Sequence, residues 1–401
     1  MSRPRRGRLF AAVAIVLLLV GLGVWSYYAF FVSTGTALRT AEAFSFRRMT
    51  VAQLPEQGGY RFFYVTNRRL KTDEKPIEES FGTEREAILK FGYFDTKIEP
   101  TLGLGMLINP SEWFLNEEIQ LKAVQPLEQG AFVEKLQQLV QDSPHRSLLV
   151  VVHGFREGFP SALRKTAFLG HVLDINTPVL LFDWPGNQGS SLRGYRRARR
   201  VAEASGAELA QTVQVIKREI QPARLWLLAN SMGGQVVADA FSLLYQEADM
   251  ADAETEIEDV VLTAPDVDHE RFNQQFKREI TALTRHLTVY VSSNDRALLM
   301  SRVINRERRR GESTLNMRNP DQFEDAVKVL DLVGADSEIV TLVDVTPVNR
   351  TRNFHNFSLE TPEFFDDLYL SLMSTGTLRN RLRYRIRAPD GSVYHVLTRG
   401  R

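Results

Sequence analysis

The sequence predicts an α/β protein built on a doubly wound, mainly parallel sheet. Three observations carry that reading. Short apolar runs, among them Ser147 to Val152 and Val179 to Phe182, alternate with longer stretches of helical spacing. The runs are apolar throughout, not at every second position, as expected of strands covered by helices on both faces. Several end on small, polar or charged residues, which would lie beyond the carboxyl ends of the strands, where ligands bind in such sheets.

The first element comes before the sheet. Arg3, Arg5, Arg6 and Arg8 precede an apolar run from Leu9 to Val24, followed by Trp25, Tyr27, Tyr28, Phe30 and Phe31. Counted on to Val32, the run is long enough for a transmembrane helix, with its aromatic cluster at interfacial depth. The arginines favour a cytoplasmic N-terminus, so residues 1–33 read as a basic tail and membrane anchor. The remainder is then expected outside the cytoplasm, periplasmic or extracellular. The competing reading is a cleaved signal peptide, for which Ala41-Glu42-Ala43 offers a small-x-small site. The apolar run is long for a signal peptide and no cleavage site follows it closely, so the uncleaved anchor is preferred.

Residues 34–57 read as a polar stalk. A strand is expected from Arg61 to Thr66, ended by Asn67-Arg68-Arg69. Strand-like pieces at Lys90 to Phe94, Thr96 to Ile98 and Leu102 to Ile108 suggest an antiparallel lead-in to the sheet. A helix follows over Ala131 to Gln141, with Phe132, Leu136 and Leu139 on one side.

The core strands are then expected at Ser147 to Val152, Val179 to Phe182, Arg224 to Leu228, Val260 to Leu262, Leu287 to Val291 and Ile339 to Val343. Helical patterns lie between them, among them Arg200 to Glu219 and Gly234 to Glu247. Residues 58–375 form the main domain on this reading. In residues 376–401, alternating arginines from Arg379 to Arg387 and a turn at Ala388-Pro389-Asp390-Gly391 predict a basic hairpin or tail.

Composition narrows the partners and the chemistry. The 50 Lys+Arg and 49 Asp+Glu of the 401 residues leave a net charge of +1, so nothing in the total points to nucleic acid. The absence of cysteine removes disulfides, thiolate metal sites and cysteine nucleophiles. The acidic run Glu247 to Asp259 reads as a solvated loop, and the basic runs Arg193 to Arg200 and Arg302 to Arg310 as exposed helix faces.

Chemistry centres on Leu225 to Gln235, an apolar run followed by Ala229-Asn230-Ser231-Met232-Gly233-Gly234. A serine becomes a useful nucleophile when a sharp strand-to-helix turn holds it exposed beside a base and oxyanion-binding amides. Such a turn leaves little room two positions either side of the serine. Gly233 fills one of those slots and Ala229 the other. Four histidines follow Ser231: His269, His286, His355 and His395. His286 precedes a strand, His395 falls in the terminal hairpin and His269 comes before the next strand. His355 lies beyond the last core strand and is the preferred general base. Asp295 follows a core strand at the position that usually supplies the orienting acid, and Asp266 after the preceding strand is the alternative. The oxyanion hole is expected from the amides of Met232 and Phe155, with Gly154 letting the loop approach closely and His153 in a structural role.

With His153-Gly154-Phe155, Phe182-Asp183-Trp184-Pro185, Ala229 to Gly233, Ala264-Pro265-Asp266, Ser293 to Leu298 and His355 in that order, the chain resembles the α/β-hydrolase superfamily. More narrowly, it resembles a bacterial family of α/β hydrolases of unknown function, in which a Thr-Asn-Arg-like strand end (here Thr66-Asn67-Arg68) comes first. The resemblance implies the α/β-hydrolase fold and an esterase-like reaction, and names no substrate. The resulting expectation is a membrane-anchored serine hydrolase with Ser231, His355 and Asp295 as its triad. Its substrate would be a small-molecule or lipid acyl ester, and it would need no cofactor and no metal. The alternative is a non-catalytic hydrolase-fold module for interactions in the cell envelope. Oligomeric state is not encoded in any of these features.

Overall fold

The computed structural model describes residues 18–21, 48–56, 58–71, 76–98, 119–247, 257–267, 275–292, 339–349, 357–373, 382–387 and 393–398. Of the N-terminal apolar run only residues 18–21 fall within this set, so the expected anchor lies outside the described residues. Among the described residues no helix is long and apolar enough to cross a membrane.

Among the described residues, an eleven-stranded sheet organises the chain. Its strands are β1 (Gly59–Leu70), β2 (Phe81–Ile98), β3 (Ile119–Leu127), β4 (Ser147–Val152), β5 (Val179–Asp183), β6 (Arg224–Asn230), β7 (Ile257–Thr263), β8 (Thr284–Val291), β9 (Val340–Asp344), β10 (Arg383–Arg387) and β11 (Val393–Leu397). Across the sheet they run β10-β11-β9-β8-β7-β6-β4-β5-β1-β2-β3. Every neighbouring pair from β11 to β1 is parallel. Among the described residues, antiparallel strand pairing is confined to the margins, at β1–β2, β2–β3 and the β10–β11 hairpin.

The unbroken apolar runs explain the two-sided cover. Along β4, Leu148, Val150 and Val152 face one buried cluster and Leu149 and Val151 the other. On the first face lie α2 (Gln129–Asp142), α4 (Leu192–Val215), α5 (Gly233–Tyr245) and α6 (Lys277–Leu283). The second face is covered by α3 (Phe159–Leu173) and α8 (Pro362–Met373), with α7 (Phe357–Glu360) beside it. A short helix, α1 (Ile77–Ser80), joins β1 to β2.

Two local expectations are corrected. Asn67-Arg68-Arg69 does not end β1, which continues to Leu70 with Arg68 only 1% exposed. The pieces at Lys90 to Phe94 and Thr96 to Ile98 are one 18-residue strand, because Asp95 is paired across the ladder with Arg61 at 2.7 and 2.8 Å. The piece expected at Leu102 to Ile108 lies outside the described residues.

Candidate active site

Strand β6 ends at Asn230 and α5 begins at Gly233, so the chain reverses from strand to helix within Ser231 and Met232. Ser231 takes φ +54, a left-handed conformation that costs an L-residue roughly 1–2 kcal/mol. Ladder bonds carried past the strand ends hold the turn. Ser231 N donates to Thr263 O at 2.8 Å, and Asp266 N donates to Ser231 O at 3.0 Å. Gly233 is required where it stands, since a Cβ there would lie 2.6 Å from His153 O and 2.7 Å from Val152 O. Met232 opens α5, so its amide belongs to the helix end whose N–H groups lack intrahelical acceptors and carry positive partial charge.

The loop after β4 lies against this turn. A Cβ on Gly154 would come 3.0 Å from Ser231 Cβ and 3.1 Å from Asn230 O. Phe155, the expected second oxyanion donor, packs edge-on against Tyr195 of α4 with ring centroids 5.6 Å apart. Arg156 next to it also has positive φ, +70, as does Ala264 beyond β7, +45. Three strained non-glycine residues thus gather at the carboxyl end of the sheet, a pattern typical of functional sites.

His153 is engaged structurally. Its Nδ1 lies 2.9 Å from Gly154 O and its Nε2 3.0 Å from Asp183 Oδ1, while its carbonyl accepts from the Trp184 indole N–H at 2.8 Å. Asp183 is fully buried at the end of β5. Burial opposes its charge, yet the Arg68 guanidinium and the His153 ring hold its carboxyl below the ordinary carboxylate range. Thr66, directly across the β1–β5 ladder, donates to Asp183 Oδ2 at 2.5 Å. Arg68 grips both carboxylate oxygens, at 2.6 and 3.0 Å. The Thr66-Asn67-Arg68 segment of β1 therefore has a physical role that its sequence did not reveal. The available signal was Asp183 itself, a carboxylate closing an otherwise apolar strand.

Of the sequence-derived candidates, the structure brings together Ser231, Met232, Gly154, Phe155 and Asp266. Asp295 and His355 lie outside the described residues, as does His269. Asp266 is buried, and its Oδ2 accepts from Tyr195 Oη at 2.7 Å. Tyr195 was overlooked because it sits within the basic run of α4. Described residues near these candidates make the following bonds. Ser292, three residues before Asp295, accepts from Asn349 Nδ2 at 2.8 Å. Ser358, three residues after His355, donates to Asn230 Oδ1 at 3.3 Å. His286 lies on β8 beside Asp259 of β7, near the amino ends of those strands, and His395 on β11 pairs in register with Val343. Among the described residues no group of three metal-ligating side chains occurs.

No curated protein matches the sequence. Among solved structures, the chain is similar to a butyrate-bound esterase, Est2, from Thermogutta terrifontis. Identity is 13% over 59% of this chain and 85% of that one, with a TM-score of 0.32. It is also similar to a zinc-bound cold-adapted esterase from an Arctic intertidal metagenomic library, at 12% identity over 80% and 97% of the two chains and a TM-score of 0.35. Likeness at this level speaks to neither substrate nor mechanism. The family model of the alpha/beta hydrolases of unknown function, DUF900, matches residues 128–365, more than half of the sequence, and the chain belongs to that family.

Proposed function

We propose that the protein is a membrane-anchored serine hydrolase that cleaves carboxylic acyl esters, small-molecule or lipid, outside the cytoplasm. The observation that carries the reading is Ser231, held at φ +54 on the β6–α5 turn with Gly154 against its Cβ. A strained serine at the carboxyl end of a parallel sheet, beside a helix N-terminus, is what acyl transfer needs from a nucleophile. The apolar run from Leu9 supports the anchor and the placement outside the cytoplasm.

In the proposed cycle Ser231 Oγ adds to the acyl carbonyl as His355 takes its proton, and Asp295 orients the imidazole. The amides of Met232 and Phe155 receive the oxyanion, worth on the order of 3 kcal/mol per donor. Collapse of the tetrahedral adduct breaks the ester C–O bond. The alcohol leaves with the proton held by His355, giving the acyl-enzyme. Water repeats the sequence and releases the acid.

The test is covalent labelling of the full chain, in mild detergent, with a fluorophosphonate, followed by intact mass and by hydrolysis of a short-chain aryl ester. Labelling and turnover are expected in the native protein and absent from Ser231→Ala and His355→Ala. Asp295→Asn is expected to lose more kcat than Asp266→Asn. A well-folded native protein that neither labels nor hydrolyses the ester overturns the proposal.

A further inference from the structure

Arg68 has no place in the cycle just described, yet among the described residues it is the most heavily bonded side chain near the site. Besides both oxygens of Asp183, it donates to Trp184 O at 2.7 Å, Glu157 O at 2.8 Å, Asn187 Oδ1 at 2.6 Å and Gly82 O at 3.2 Å. Two of these acceptors are main-chain carbonyls in different loops. Glu157 closes the loop after β4, and Trp184 opens the loop after β5. One buried guanidinium therefore clamps together the loops after β4 and β5, and the first of these lies against Ser231 through Gly154.

The segment 153–157 is held residue by residue through this clamp. His153 is fixed by Asp183 and Trp184, and the Gly154 carbonyl faces the His153 ring. Arg156 N donates to Gly186 O at 3.0 Å, and the Glu157 carbonyl accepts from Arg68. Phe155 sits in the middle, followed directly by the left-handed Arg156. A strained loop persists only where its surroundings over-determine it.

We infer that Arg68, seated by Asp183 and Thr66, is a positioning residue that sets the 153–157 loop so that the Phe155 amide is preorganised to receive the oxyanion at Ser231. The inference rests on Ser231 being the nucleophile. A planar fork with five donors suits this task, whereas a lysine ammonium supplies charge without the fork. A shift of about 1 Å in a catalytic group costs up to roughly 100-fold in rate.

The test compares the native full chain with Arg68→Lys, which keeps the charge opposite Asp183, and with Thr66→Val, which removes one hydroxyl at nearly constant shape. Arg68→Lys is expected to lower kcat roughly 10- to 100-fold with KM within about twofold, and to slow fluorophosphonate labelling by a similar factor. Faster hydrogen exchange over 153–158, without change in β7 to β9, is expected alongside. Thr66→Val is expected to lower kcat a few-fold, and it decides the matter if Arg68→Lys does not fold. A purely structural role would reduce stability and leave kcat per folded molecule and the labelling rate unchanged, and that result overturns the inference. A native protein without labelling or turnover removes the reaction itself, an outcome distinct from an active native protein whose variants are equally active.

Discussion

Replacing Gly233 by alanine tests the close contact on which the site depends. The new Cβ would stand 2.6 Å from His153 O, 2.7 Å from Val152 O and 3.2 Å from Val152 C. All three are main-chain atoms, so no side chain can rotate aside: Val152 is held by ladders to β5 and β6, and His153 O accepts from the Trp184 indole. Separations near 3.3 Å require the elbow and the β4 loop to part by roughly 0.7 Å, an overpacking that costs about 1–3 kcal/mol. The same movement separates Ser231 from the Gly154–Phe155 amides, so kcat should fall roughly 10- to 50-fold. Gly130→Ala is the control. It lies near the start of α2 with nothing within 4 Å of the added methyl, and there the substitution should stabilise by up to about 1 kcal/mol. Urea midpoints and turnover of an aryl ester on the two variants give opposite signs if the contact matters. A Gly233→Ala protein with native midpoint and native kcat refutes the reasoning.

Two further perturbations address other parts of the molecule. Tyr195→Phe removes the donor to Asp266 Oδ2 and should cost about 1–2 kcal/mol in urea unfolding, with kcat within about threefold of native; a kcat loss of 100-fold would instead make Asp266 the triad acid. Near the amino end of β7, burial and the neighbouring Glu258 carboxylate push Asp259 up to about 7. Its carboxyl binds a proton more tightly folded than unfolded, so the stability this adds below about pH 4 is lost as pH rises to about 7. A displacement of about three units corresponds to about 4 kcal/mol at most. Asp259→Asn should therefore gain on the native protein between pH 4 and 8 in paired urea titrations, and parallel curves would contradict the assignment.

Where the sequence is legible, one interaction type dominates, and where it is not, two compete. Strands β4 to β6 and β8 to β9 read out within a few residues because burial on both faces favours an apolar run through the middle of each strand. Strand β7 is longer than its apolar centre suggests, since it begins with Ile257, Glu258 and Asp259, and Glu258 is partnered by Arg224 at 3.4 Å and Arg285 at 3.6 Å. The same effect hid the continuity of β2 at Asp95 and the inward turn of Arg68. A charge on one strand is a break signal only until its partner on the next strand is known, and that partner can be over 100 residues away. The elbow was legible because its requirement is steric and local: Gly233 follows Ser231 by two residues. Tyr195 and the Arg68 clamp were not, because each acts on a loop that the sheet order, not the sequence order, brings alongside.

The clamp also raises a question of energetics. A buried ion pair is a weak source of stability, and apolar side chains of equal volume are often as good or better. Arg68 and Asp183, at 1% and 0% exposure, would be an odd choice if cohesion were all that was required. Apolar replacements, however, would leave the carbonyls of Trp184, Glu157 and Gly82 without this donor, at about 1–3 kcal/mol for each group that stayed buried and unsatisfied. The loops would then be free to seek other partners and relax the left-handed turn at Arg156. A second buried cluster gives the contrast. Arg383 binds Asp367, Tyr290 and Ser371, each through a side chain, and so joins α8, β8 and β10, with no loop carbonyl among its partners in the described residues. Both clusters set an arginine against a buried aspartate, but of the two only the Arg68 pair fixes main-chain geometry in the loop beside Ser231. Its position is that of a device that specifies one loop conformation, and the cost of burying charge is spent where an oxyanion must be met by amides already in place.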